Sequence, residues 1–150
     1  MNWESASVPA GTFDDPPGDG QVGWRGVSLP VRGSDDDDHW FRTRIASTTA
    51  TTLRFGGLAT VCDVFVDGAR VVSSESMFIR HDVPVTAGEH EIVVCSRALT
   101  PLLGIPRKPR ARWRSRVPVD GNLRWFRTSL LGRAPGFAPA PPLVGPWRPV

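Results

Sequence analysis

Between residues 39 and 97 the chain repeats one arrangement six times: a short run in which apolar and polar residues alternate, closed by a tight turn. In 39–45 Phe41, Thr43 and Ile45 alternate with Trp40, Arg42 and Arg44, the period-two pattern of a half-buried strand. Run 51–55 repeats it with Leu53 and Phe55 on one face, and Gly56 and Gly57 then break it. Run 60–66 ends at Asp67-Gly68, a dipeptide suited to a two-residue hairpin because both residues tolerate positive φ, and 70–73 is the returning strand. Runs 76–85 and 89–97 follow, separated by Thr86, Ala87 and Gly88. Connections this short cannot hold crossover helices, so parallel α/β folds and helical bundles are excluded. The expectation is an all-β chain forming one antiparallel β-sandwich over 1–150, a length that closes a single core. Fifteen Gly and fifteen Pro agree with many turns and no long helix.

The flanks read differently. Residues 1–36 form an irregular lead-in with one short strand near 27–31. Segment 100–122 is a long basic loop broken by Pro101, Pro106, Pro109 and Pro118, and loops of that length are usually functional or contact a partner. A strand-like pattern resumes over 123–131, and GPWRPV (145–150) reads as an incoming strand, which suggests a truncated or split polypeptide. No basic lead with an apolar stretch opens the chain and no run has the length of a membrane span, so a cytoplasmic location without membrane partner is expected.

The formal net charge of +3 conceals an asymmetry. Segment 97–133 holds ten basic residues against one acid, Asp120, and carries +9, leaving −6 for the remainder. Cys62 and Cys95 lie inside apolar runs with no ligand-like spacing, and read as buried free thiols in a reducing compartment.

Motifs that carry chemistry are few. Gly18, Gly20 and Gly23 spell GxGxxG, but Asp14, Asp15, Pro16 and Pro17 stand where the preceding strand should be and no helix follows. The acidic run 35–38 lacks the Gly and the distant Glu of a calcium loop and reads as a solvated turn. His39, His81 and His90 form no metalloprotease motif and read as surface or strand positions. Glycoside hydrolysis requires a poised carboxyl pair, and the four glutamates, Glu4, Glu75, Glu89 and Glu91, lie in the lead-in or at turns and strand edges. No catalytic residue, metal site or cofactor is therefore expected. The binding candidates are aromatic and basic. Trp113, Trp125 and Trp147 offer flat apolar faces suited to sugar rings. Arg107, Lys108, Arg110, Arg112, Arg114 and Arg116 make the basic loop, which pairs with phosphate or carboxylate or packs on a neighbouring domain. On residues alone the chain is a Trp-rich, basic β-sandwich that binds something.

The ordered series HWFRTRI (39–45), LRFGGLATVCDVFVDGARV (53–71), SMFIRHDVPV (76–85), GEHEIVV (88–94) and GPWRPV (145–150) resembles the N-terminal domain of glycoside hydrolase family 2, and SVPAGTFDD (7–15) is similar to that family's lead-in. Arg107-Lys108, the long insertion and the closing GPWRPV are most like the β-mannosidase branch. One departure stands out: that branch carries W-D-W-G-P before the closing strand, and here LRWFRTSLLGR (123–133) offers only Trp125, with no aspartate after it. The resemblance implies a jelly roll of the galactose-binding type beside a (β/α)₈ barrel. It also implies that both catalytic glutamates belong to the barrel, so that this chain alone is inactive and shares a glycoside substrate with its neighbour, to which Trp125 and Arg127 with the Arg112–Arg116 loop are the expected contributors. Two other readings remain open: a stand-alone carbohydrate-binding module, and a polyanion-binding sandwich driven by the +9 segment, although nucleic acid is not the expected partner.

Overall fold

The computed structural model describes residues 1–108, 116–136 and 140–150. Its strands in chain order are β1 (Trp3–Pro9), β2 (Arg25–Val27), β3 (Val31–Arg32), β4 (Asp37–Ser47), β5 (Thr51–Phe55), β6 (Leu58–Ala59), β7 (Cys62–Val66), β8 (Ala69–Ser74), β9 (His81–Val85), β10 (Gly88–Ser96) and β11 (Leu143–Pro146). Six of them form one antiparallel sheet in the order β2-β1-β4-β10-β7-β8. The facing layer consists of β3-β11-β6 and β5-β9. Trp147 N donates to Gly57 O at 3.2 Å and Gly56 N to Pro149 O at 3.1 Å, so the chain after β11 runs along the β5–β6 corner and joins the two halves of this layer. The architecture is the expected all-β sandwich.

The sequence pattern explains the core. Phe41, Val64, Ile92 and Val94 from the large sheet meet Leu53, Phe55, Leu58, Val83, Val85 and Val144 from the facing layer. Their alternate neighbours point the other way, and on the outer face Trp40, Phe65, Val93 and Cys95 are buried too. Val8 of β1 borders that outer cluster and Phe13 and Trp24 cover it, so the loop after β1 folds across the sheet as a third layer. Consecutive buried residues such as Trp40 and Phe41 thus reflect a strand covered on both faces.

Several expectations need correction. The lead-in is not irregular: β1 pairs with β4 from Glu4↔Arg42 to Pro9↔Asp37, and β2 pairs with β1. Its small and polar residues, WESASVP, gave no apolar alternation because only one half of that strand is covered. The run 76–85 is a strand only over His81–Val85. Within 100–122 the chain forms a short helix, α1 (Leu99–Leu103), which begins one residue before that loop. Residues 123–131 are not a strand: they begin inside a 3-10 helix (Gly121–Trp125) and continue through an isolated parallel bridge, Ser76↔Arg127. The Asp67-Gly68 hairpin forms as expected, with φ of 51° and 80° at the two residues.

Two core features generate tests. Gly145 adopts φ +67° and lies directly against the Phe41 ring, so a Cβ there would enter the ring itself. Gly145→Ala should lower stability by about 1–3 kcal/mol in urea unfolding. Both cysteines are free and buried. Burial pushes the Cys62 thiol up to about 12 and the Cys95 thiol well above its usual range. At pH 8 neither should react with an aromatic disulfide reagent in the folded chain, and both should react at once in urea.

Candidate functional site

At the end of the sandwich where β4 begins and β10 finishes, the long excursion after Arg97 builds a cap. Helix α1 and the 3-10 helix pack through Leu99, Leu103, Leu123 and Phe126 into a small cluster of their own. Asp120 caps the 3-10 helix by accepting from Asn122 N at 2.7 Å, and Asn122 Nδ2 donates to Leu103 O at 3.0 Å, which ties the two turns together. The cap is fixed to the sandwich by two arginine forks. Arg133, only 6% exposed, donates Nε to Asp35 Oδ2 at 2.6 Å and Nη2 to Asp35 Oδ1 at 2.7 Å, with Nη1 reaching Thr128 Oγ1 and Ser129 O. Arg107 donates both terminal nitrogens to Glu75 at 2.9 Å, and its guanidinium lies 4.4 Å from the centre of the Phe126 ring. The Arg107 hydrogen bonds hold the Glu75 carboxyl below its ordinary value of 4.5.

A cleft of about 480 Å³ opens between this cap and the loop before β4. Ser34, Asp35, Asp36 and Asp120 supply its oxygen acceptors, Leu103 and Leu123 its apolar floor, and Pro141 and Pro142 one wall. The pairing of acceptors with an apolar floor suits a ring bearing hydroxyls on its edges and C–H groups on its face. Acid–base hydrolysis is a different matter, since Asp35 is engaged by Arg133 and Asp120 by its capping bond. Among the described residues no three His, Cys, Asp or Glu side chains come together to hold a metal ion. No helix among them is long and apolar enough to cross a membrane.

The residues singled out from sequence are dispersed. Trp125 sits half-buried at the end of the 3-10 helix, with the Arg124 guanidinium 5.3 Å from its ring centre and its indole N–H without an acceptor among the described residues. Arg127 is exposed, and its backbone carbonyl accepts from Met77 N at 3.0 Å. Trp147 lies on the facing layer. Its N–H donates to Met77 O at 2.8 Å, Arg148 covers its ring at 4.4 Å, and Phe78 meets it edge-on. Arg107 is held at Glu75, whereas Lys108 and Arg116 are exposed. Trp113, Arg110, Arg112 and Arg114 lie outside the described residues.

The acidic run 35–38 was underrated as a solvated turn. Asp38 is 2% exposed and accepts from Gly11 N at 2.9 Å and Ala98 N at 2.7 Å. Arg97 Nη1 stands 3.6 Å from the same carboxylate and its Nε donates to Asp63 at 3.1 Å. His39, read as a surface or strand position, lies in β4 and is buried, with Nε2 2.9 Å from Ser34 O. The partners of Asp38 lie 27 and 60 positions away in sequence, and a local pattern carries no trace of them.

The geometry has direct consequences for stability. Arg133→Met leaves the Asp35 carboxylate unpaired beside the cap and should cost about 3 kcal/mol, while Arg127→Met should stay within about 0.5 kcal/mol in the same urea titration. Because the Glu75 pKa is lowered on folding, its pair with Arg107 stabilises the chain above the ordinary carboxyl range and is lost as pH falls through the lowered value. Glu75→Gln should accordingly flatten the acid limb of the stability curve below about pH 4.5.

The family model described as "Glycosyl hydrolase 2 galactose-binding domain-like" matches residues 27–148. Among curated proteins nothing matches. Among solved structures, the β-D-mannosidase from Dictyoglomus thermophilum superposes with a TM-score of 0.69 at 14% identity, over 99% of this chain and 21% of that one. The β-glucuronidase from Faecalibacterium prausnitzii gives a TM-score of 0.50 at 15% identity, over 63% of this chain and 20% of that one. The chain thus spans about a fifth of the length of either structure, and at such identities the likeness is one of fold.

Proposed function

Because the chain belongs to the glycosyl hydrolase 2 galactose-binding domain-like family, we propose that it serves as the non-catalytic, sugar-facing accessory domain of a family 2 glycosidase. The hydrolysis of the O-glycosidic bond, β-mannosidase-like in type, belongs in this reading to a (β/α)₈ barrel outside the chain. The observation that carries it is the family match over 27–148. The capped cleft supports it, with oxygen acceptors over an apolar floor and two of its carboxylates already engaged. Asp36 and Asp120 would accept from sugar hydroxyls, and Leu103 and Leu123 would lie under the ring. Trp125 and Arg127, with the 107–116 loop, would reach toward the barrel's own pocket, while Trp147 would act mainly by holding the facing layer in place.

The polyanion reading loses support from the ion pairs. Of the basic residues in 97–133, Arg97, Arg107 and Arg133 are neutralised by Asp63, Glu75 and Asp35, which belong to the acidic remainder of the chain. The +9 of that segment therefore overstates the field it presents to a partner.

The test is enzymatic and genetic together. The chain alone should release no nitrophenol from p-nitrophenyl β-mannoside, β-galactoside or β-glucuronide, and the coding DNA around it should specify a barrel bearing two glutamates at strand ends. Turnover by the isolated chain that survives repurification, or a locus with no barrel, overturns the proposal. Titration with methyl glycosides, followed through the amide signals of Asp36, Asp120 and Leu123, locates the sugar directly.

A further inference from the structure

At the end of the sandwich away from the cap, where β10 begins and β4 finishes, His90 bridges the two layers. Its side chain is largely covered, at 12% exposure. Ring Nδ1 stands 2.7 Å from Asp67 Oδ2, in the hairpin between β7 and β8 of the large sheet. Ring Nε2 stands 3.1 Å from the carbonyl oxygen of Thr86, the residue that follows β9 of the facing layer. A carboxylate and a carbonyl only accept, and a neutral imidazole carries a single N–H. The two contacts together therefore require the doubly protonated ring.

The two partners are held differently. Asp67 is fixed to β10 without help from the ring, since its N donates to Glu91 O at 2.9 Å and its Oδ1 accepts from Glu91 N at 2.9 Å. Thr86 lies instead in an exposed turn with Ala87 and Gly88. When the Nε2 proton leaves for solvent, the Nε2 lone pair faces the lone pairs of the Thr86 carbonyl. The hydroxyl of the same residue, with Oγ1 3.3 Å from Nε2, is then the group that can donate to the ring. The proton that remains stays on Nδ1, against the carboxylate.

Among the described residues Asp67 is the charged group that faces the ring. Strand alternation sends Glu89 and Glu91 to the opposite side of β10, where Arg44 of β4 pairs with Glu91 at 3.2 Å. Directly opposite His90, β4 places Ile45. Arg70 of β8 stands across from Phe65, which points to the outer face of the sheet. β9 ends in Val85 and leads to Thr86, neither of them ionisable.

We propose that His90 is a proton-operated latch between the two layers of the sandwich, which holds the turn between β9 and β10 through its Nε2 proton and releases the Thr86 carbonyl when that proton leaves. The Asp67 hydrogen bond, and after it the Thr86 carbonyl, raises the ring above its ordinary 6.5. The His90 bond, and after it the Glu91 N–H, holds the Asp67 carboxyl below its ordinary 3.8. The latch thus contributes fully between pH 3.8 and 6.5. It is lost as pH rises through the raised His90 value, and again as pH falls through the lowered Asp67 value.

The experiment follows the ring nitrogens of His90 and the backbone amides of the full chain by ¹⁵N NMR, from about pH 5 to 9. The ring should titrate with a midpoint above 6.5, and its neutral form should be the Nδ1–H tautomer that the Asp67 bond selects. The amides of Thr86, Ala87 and Gly88 should shift with the same midpoint. A ring midpoint at or below 6.5, a neutral ring protonated on Nε2, or turn amides that do not follow the ring each overturns the proposal. The parent chain alone decides these outcomes, so they do not depend on the folding of any variant. In variants shown to be folded by circular dichroism, Asp67→Asn should bring the ring and the turn amides down together toward 6.5. Thr86→Val removes the hydroxyl that serves the neutral ring but keeps the carbonyl, and should move the midpoint further up. His90→Gln should leave the three turn amides with no step above 6.5, and a step that persists there assigns the titration to another group and overturns the latch.

Discussion

The Asp38–Arg97 contact is the junction on which three parts of the molecule depend. Asp38 is the second residue of β4, and Arg97 follows the last residue of β10, its neighbour in the sheet. The Asp38 carboxylate takes one backbone N–H from the loop after β1 and another from the start of the cap. Arg97 in turn donates to the carbonyls of Phe13 and Asp14, pairs with Asp63, and lies 5.4 Å from the centre of the Trp40 ring. One buried ion pair thus fixes the third layer, the centre of the sheet and the origin of the excursion in a single arrangement. Such groups are desolvated at a cost, and what repays it is the full set of hydrogen bonds around them. Loss of any member leaves a charge or an N–H stranded among Trp40, Phe65 and Cys95.

From that junction the two clefts acquire their positions. The excursion leaves the sandwich at Arg97 and is held again at Glu75 and at Asp35, so its two helical turns stand over the end of the sheet. The cleft lined by Asp35, Asp36 and Asp120 and a smaller depression lined by Pro118, Phe126 and Leu130 both border the 3-10 helix, with Leu123 common to the two.

The strands of the sheet's centre could be read directly from sequence because each satisfies two independent signals, alternation within the run and turn chemistry at its end. Asp67-Gly68 is the clearest case, since the dipeptide requires the positive φ values that are found. β1 escaped notice because WESASVP buries only Trp3 and Ala6, three positions apart, so that no period-two contrast shows. The 123–131 stretch misled for the opposite reason: its apolar residues serve a satellite cluster against α1 and not a sheet. At the site the failure was one of range. Basic residues between 97 and 133 looked like a single field, yet Arg107 meets a glutamate 32 positions away and Arg133 an aspartate 98 positions away. No window of local sequence contains both partners. Trp147 illustrates the same limit, because only the approach of Met77 from 70 positions away shows that its N–H is already engaged.

The position of β11 has a consequence for how the chain is made. It is the last strand, yet it is the central one of its trio, pairing with β3 through Leu143↔Arg32 and with β6 through Gly145↔Ala59. Until residues near 143 have left the ribosome, the facing layer has no middle, and the apolar face bearing Phe41, Ile92 and Val94 stays partly uncovered. The large sheet by contrast has all its strands by Ser96. Synthesis therefore passes through an interval in which one sheet can pair and the other cannot close. During that interval Phe41, Ile92 and Val94 lack part of their cover, and closure of the sandwich waits for β11.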